Sequence, residues 1–150
     1  MPIIKTQFRE ISAVRNIIEA EKIGSASRNS NISIREVKEI TSSKKTDKSS
    51  LMFIYEYSVD YPLQSGGKLG SVRIVGEIFY VEDTKKAKNI LDGWKKDKKI
   101  EEDVLALILN VGLSEANIEA IYQSHKVGLP SPIPMPRLKP AGKKSTSSAG

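Results

Sequence analysis

Four cations, Arg137, Lys139, Lys143 and Lys144, follow one another towards the C-terminus, with no acidic residue between Ser131 and Gly150. The chemistry open to them is electrostatic. A guanidinium and three ammonium groups on extended backbone can neutralise phosphates, each contact adding salt-dependent affinity that is blind to sequence. They hold four of the six net positive charges of the chain, so the body is nearly balanced and the tail is basic. Lys44 and Lys45 in a polar stretch, and Lys85 and Lys86 where a helical pattern starts, extend the set of candidate RNA contacts. No known RNA-reading module is visible, so specificity would come from docking and shape. The plain alternative is a solvated tail that aids solubility.

Covalent and metal chemistry is poorly supplied. The chain has no cysteine, which excludes thiolate nucleophiles, disulfides and thiolate zinc sites. Its one histidine, His125, falls near the end of a helical pattern, where a cation favours the helix dipole. Glu56 and Glu77 lie in strand-like stretches with no partner evident from spacing, and no acid pair stands out. Lys68-Leu69-Gly70 after Gly66-Gly67 lacks the spacing of a phosphate loop. The expectation is a protein that is not an enzyme, with no catalytic residue, metal or cofactor.

A third kind of chemistry is apolar contact. Phe53, Tyr55, Tyr57 and Tyr61 share one face of a strand pattern and could line a polypeptide-binding surface. The competing reading, and the commoner outcome, is that such a stripe packs under helices. Trp94, on the inner face of a helical pattern, is read the same way.

The elements that would position these residues can be read from periodicity. Phe8 to Ile23 is ambiguous: Phe8, Ile11, Val14 and Ile18 fit a helical stripe, although a loose alternation also fits a strand. After the turn cluster from Gly24 to Asn31, a strand begins with Ile32, Ile34 and Ile40 on one face, interrupted by Glu36 and Lys38. Leu51 to Tyr61 alternates cleanly, as does Leu69 to Val81, with a glycine-bearing turn between them. From Asp83 the period becomes helical, with Ala87, Ile90, Leu91 and Trp94, and Lys98 at the end, as the inner stripe. Glu101, Glu102 and Asp103 open a second helix at its positive end, and Gly112 and Ser114 could break it. Gly128 and Pro130 then stop the helical pattern, and alternating prolines force an extended path.

At 150 residues and 39% hydrophobic content this is one domain's worth of chain, read as residues 1–128, with 129–150 as an extended tail. The class is α+β: four strands in an antiparallel meander or Greek key, packed against two or three helices. No apolar run reaches the length of a bilayer span and no signal-peptide core is visible, so a cytoplasmic protein without a membrane partner is expected.

The strand Val72-Arg73-Ile74-Val75-Gly76-Glu77-Ile78-Phe79-Tyr80, then Trp94 in a first helix, then Leu129-Pro130-Ser131-Pro132-Ile133-Pro134-Met135-Pro136 after a second, resembles SecB-like proteins, most of all their archaeal branch. The resemblance covers about Phe8 to Pro136. It implies that Phe8 to Ile23 belongs to the first strand, and that the fold is one used by tetrameric holdases that bind unfolded polypeptides in apolar grooves. Read with the charge, the first expectation is a structural, rRNA-bound component of the archaeal large ribosomal subunit, its basic tail running across rRNA among ribosomal proteins. The alternative is a SecB-like polypeptide-binding chaperone, either a holdase or the partner of a toxin–antitoxin system.

Overall fold

A computed structural model describes residues 3–16, 27–40, 48–64 and 66–133. Four strands, β1 (Ile3–Arg15), β2 (Asn29–Ile40), β3 (Lys48–Pro62) and β4 (Lys68–Asp83), precede two helices, α1 (Thr84–Asp97) and α2 (Glu102–Lys126). The sheet is antiparallel throughout, in the order β1-β4-β3-β2. This is a Greek key: β2, β3 and β4 follow one another, and β1 lies beside β4. The expected α+β class and SecB-like arrangement hold, with two helices.

The ambiguity at Phe8 resolves as strand, through residue 15; residues 17–23 lie outside the described residues. A register shift between Phe8 and Glu10 accounts for the first part of the helical stripe, Phe8 and Ile11, while Val14 falls opposite Ser71 on the other face. A bulge lets two residues oppose one, so side chains three apart fall on the same face. Phe8 and Ile11 therefore both meet the inner residues of β4, opposite Gly76 and Ile74. β2 repeats the device. Its register shifts between Ile34 and Glu36, so Val37, opposite Phe53, follows Ile32 and Ile34 on the inner face and is buried. Ile40 moves to the other face with Ser50, which corrects the stripe read from alternation, and Glu36 no longer interrupts it.

Each bulge also aims an arginine at a carboxylate. Arg9 lies 3.6 Å from Glu77, and Arg35 pairs with Glu56. Gln7 donates to Glu77 at 2.6 Å, and Arg73 donates to Glu56 at 2.7 Å while also pairing with Glu10. Glu56 and Glu77, which seemed partnerless in the sequence, thus sit in a polar network across the face of the sheet away from the helices.

The inner face carries the core. Leu51, Phe53, Tyr55, Tyr57, Val59 and Tyr61 of β3 are all buried, as are Val72, Ile74, Ile78 and Tyr80 of β4. Helix α1 covers them with Ala87, Ile90, Leu91 and Trp94, as its spacing predicted. Asp83 sits at its N-cap without a side-chain capping bond; its carboxylate instead accepts from Lys48 at 3.0 Å. Helix α2 runs unbroken through Gly112 and Ser114 and buries an i, i+4 row: Val104, Ile108, Gly112, Ala116, Ala120 and Ser124. From Gly112 onward the row is small, because large aromatics come up from β3 to meet it. Tyr55 touches Gly112, the Tyr57 hydroxyl donates to Asn117 Oδ1 at 2.8 Å, and Tyr61 reaches the helix end.

Helix α2 ends as the sequence predicts. Gly128 takes a φ of 77°, its N–H donates to the His125 carbonyl, and the Leu129 N–H donates to the Ser124 carbonyl. That pair of bonds is a Schellman cap. The chain then stays on the body: Leu129 is buried, the Tyr61 hydroxyl donates to the Pro130 carbonyl at 2.6 Å, and Arg28 donates to the Ser131 carbonyl at 2.6 Å.

Candidate functional site

The candidate polypeptide contacts Phe53, Tyr55, Tyr57 and Tyr61 are not on a surface. Each is at most 2% exposed, held beneath α1 and α2, and Phe53 meets Tyr80 edge-on with centroids 5.6 Å apart. Their position opposite two helices leaves no face for a ligand, so the polypeptide-binding role assigned to them is corrected to core packing. Burial also raises the hydroxyl pKa of Tyr55 and Tyr57 to about 12, as the charged form would be stranded away from water.

Of the candidate RNA contacts, Lys85 and Lys86 lie exposed in the first turn of α1, where Lys86 is 3.5 Å from Glu82. Lys44, Lys45, Arg137, Lys139, Lys143 and Lys144 lie outside the described residues. His125 is exposed at the end of α2, and among the described residues no group of three histidine or acidic side chains is placed to hold a metal.

An apolar cavity lies in a different place. Where the end of α1 and the start of α2 meet β2, a cavity of about 650 Å³ is lined by Ser33, Ile34 and Arg35, by Trp94, Lys98, Lys99 and Ile100, and by Leu105 and Leu109. Three consecutive residues of one strand line it, although successive side chains point to opposite faces. The cavity therefore reaches the edge of the sheet. Among the described residues β2 pairs only with β3, so its other edge presents unpaired N–H and C=O groups beside an apolar wall.

Local sequence builds each wall. Trp94 closes the inner stripe of α1 and is only 8% exposed, so it is both core residue and groove wall. Lys98, the one described non-glycine residue with positive φ (56°), caps α1, and its N–H donates to the Trp94 carbonyl at 2.9 Å. That turn places its ammonium 5.0 Å from the centre of the Trp94 ring. Ile100 and Leu105 follow from the short α1–α2 connection. Leu105 and Leu109 are only half-buried because the sheet takes the other side of α2.

Helix α2 is apolar nearly all round. Leu113, Ile118 and Tyr122 are exposed, and by length and composition the helix could cross a bilayer, against the sequence expectation. Its Gly112, Ala116 and Ala120 are nonetheless buried against the sheet. Sequence reasoning placed Ile34 on a strand face and did not single out Ile100, Leu105 or Leu109 as lining residues. The available signal was an α2 with more apolar positions than one face can bury.

A four-stranded antiparallel sheet in the order β1-β4-β3-β2, covered on one face by two helices, is a SecB-like class of fold. No protein-family model matches the sequence, and no curated protein matches it either. Among solved structures, the chain is similar to the SecB-like chaperone Rv1957 of Mycobacterium tuberculosis, in complex with a ChAD peptide from the Rv1956 HigA1 antitoxin. The likeness covers 92% of this chain and 91% of that one, at 8% identity and a TM-score of 0.50. It is a likeness of fold, and it lends no support to the archaeal or ribosomal part of the sequence expectation.

Proposed function

We propose that this protein is a polypeptide-binding, chaperone-like protein rather than an enzyme, and that clients bind in the groove between β2, the α1–α2 connection and α2. The observation that carries the reading is an open apolar cavity, walled by Ile34, Trp94, Ile100, Leu105 and Leu109, beside a strand edge that no other described strand pairs with. Apolar walls take side chains of any sequence, and a free strand edge takes the backbone of an extended chain, so the combination suits segments that have not folded. The SecB-like fold favours the same reading, since the similar structure is a chaperone with a peptide bound.

The test is suppression of aggregation when a denatured client is diluted into the full chain. Leu105→Ser with Leu109→Ser polarises the wall while leaving the buried row of α2 intact. Loss of suppression with unchanged circular dichroism supports the groove. Full suppression by this variant, or none by the wild type, refutes it.

A further inference from the structure

We infer that the groove selects extended segments whose apolar side chains are flanked by carboxylates; this rests on the polypeptide-binding reading above. Of the nine residues around the cavity, three are charged, Arg35, Lys98 and Lys99, and all three are cations. Arg35 is already paired with Glu56 on the far face of the sheet. Lys98 and Lys99 are exposed, and among the described residues neither forms an ion pair. The apolar floor thus has a rim with two ammonium groups that no described carboxylate pairs with, at the end where α1 closes, and one of them, Lys98, stands over the Trp94 ring.

The geometry of Lys98 adds to this. Glycine is the ordinary residue for a left-handed helix cap, because it alone avoids a side-chain clash there. Here a lysine holds that conformation at a φ of 56°, and its ammonium stands by the Trp94 ring at the mouth of the groove. A client carboxylate arriving beside an apolar side chain would find a cation held in place by the ring. The same rim disfavours the basic C-terminal segment of this chain, with Arg137, Lys139, Lys143 and Lys144, as an occupant.

Trp94 is the only tryptophan in the sequence, so its fluorescence reports occupation of this groove directly. Two labelled peptides without tryptophan, sharing one leucine- and phenylalanine-rich centre, carry aspartate flanks or lysine flanks. Titrated into the full chain at low salt, the aspartate peptide is expected to bind about tenfold more tightly, the sum of a few partly exposed pairs, and the advantage should shrink as salt rises. Lys98→Gly combined with Lys99→Gln should bring the two affinities together. Equal binding of the two peptides by the wild type, or tighter binding of the lysine peptide, overturns the inference while leaving the polypeptide reading standing. A preference that persists in the double variant overturns its assignment to this rim. Failure of both peptides to bind or to alter Trp94 emission overturns both readings.

Discussion

The Tyr55 ring occupies the space that a side chain on Gly76, its partner across the β3–β4 ladder, would need: a Cβ there would lie 2.3 Å from both Cζ and Oη of Tyr55. On its other side the ring meets Gly112 of α2, where an added Cβ would lie 3.3 Å from Ile32 Cδ1 and 3.4 Å from ring carbons of Tyr55. The same ring thus crowds a glycine in mid-strand and, together with Ile32, another in mid-helix, both of which weaken an element considered alone.

The two glycines should respond differently to one methyl group. Gly76→Ala drives a Cβ into a buried ring, and the expected loss is about 3 kcal/mol, the upper end for overpacking. Gly112→Ala meets the ring at near contact distance and gains helix propensity of about 1 kcal/mol, so its stability should stay within about 1 kcal/mol of wild type. Urea denaturation followed by circular dichroism checks both, and equal losses would contradict the packing described.

Tyr61→Phe removes the hydroxyl that holds the Pro130 carbonyl and leaves that carbonyl unpaired. A loss of about 1 kcal/mol is expected. The more specific readout is local: the Leu129 amide, which donates to Ser124 at 2.8 Å, should exchange its hydrogen faster than amides in mid-α2.

The raised tyrosines set an alkaline limit. Tyr55 and Tyr57 ionise near 12 in the folded chain against about 10 when unfolded, so the folded state holds these protons more tightly. The sign follows from linkage: their contribution is complete below pH 10 and is lost as pH rises from about 10 through about 12. Absorbance of tyrosinate should therefore lag in this window and then rise together with the loss of ellipticity. Early ionisation of all five tyrosines, without unfolding, would contradict the burial.

Lys98→Gly relieves a left-handed conformation that disfavours any residue with a Cβ. Stability should rise by about 1 kcal/mol, measured as a higher denaturation midpoint at constant m-value. If the groove uses the Lys98 ammonium, this more stable variant will bind acidic-flanked peptide less well than wild type.

The elements that follow an unbroken period were legible from sequence: the alternation of β3 and β4, the inner stripe of α1, and the Gly128 stop before Pro130 all stand where spacing put them. β1 and β2 were harder, for one shared reason. A bulge at Arg9 and another at Arg35 shift the period, turning strict alternation into a spacing of three that mimics a helix in β1 and hides Val37 in β2. Each bulge then supplies the arginine that Glu77 and Glu56 need, a pairing that depends on which strands are neighbours.

The sequence by itself determined local conformation, the total of apolar surface to be buried, and the sign of the charges. Only the tertiary structure decided which apolar residues are core and which line an open cavity, because composition does not say which face a neighbour will cover. Tyr55, Tyr57 and Tyr61 disappear under α2 since its small-residue row admits them. Ile34, Leu105 and Leu109, no more apolar than many core residues, line an open cavity because among the described residues no strand pairs beyond β2 and the α1–α2 connection does not close over them.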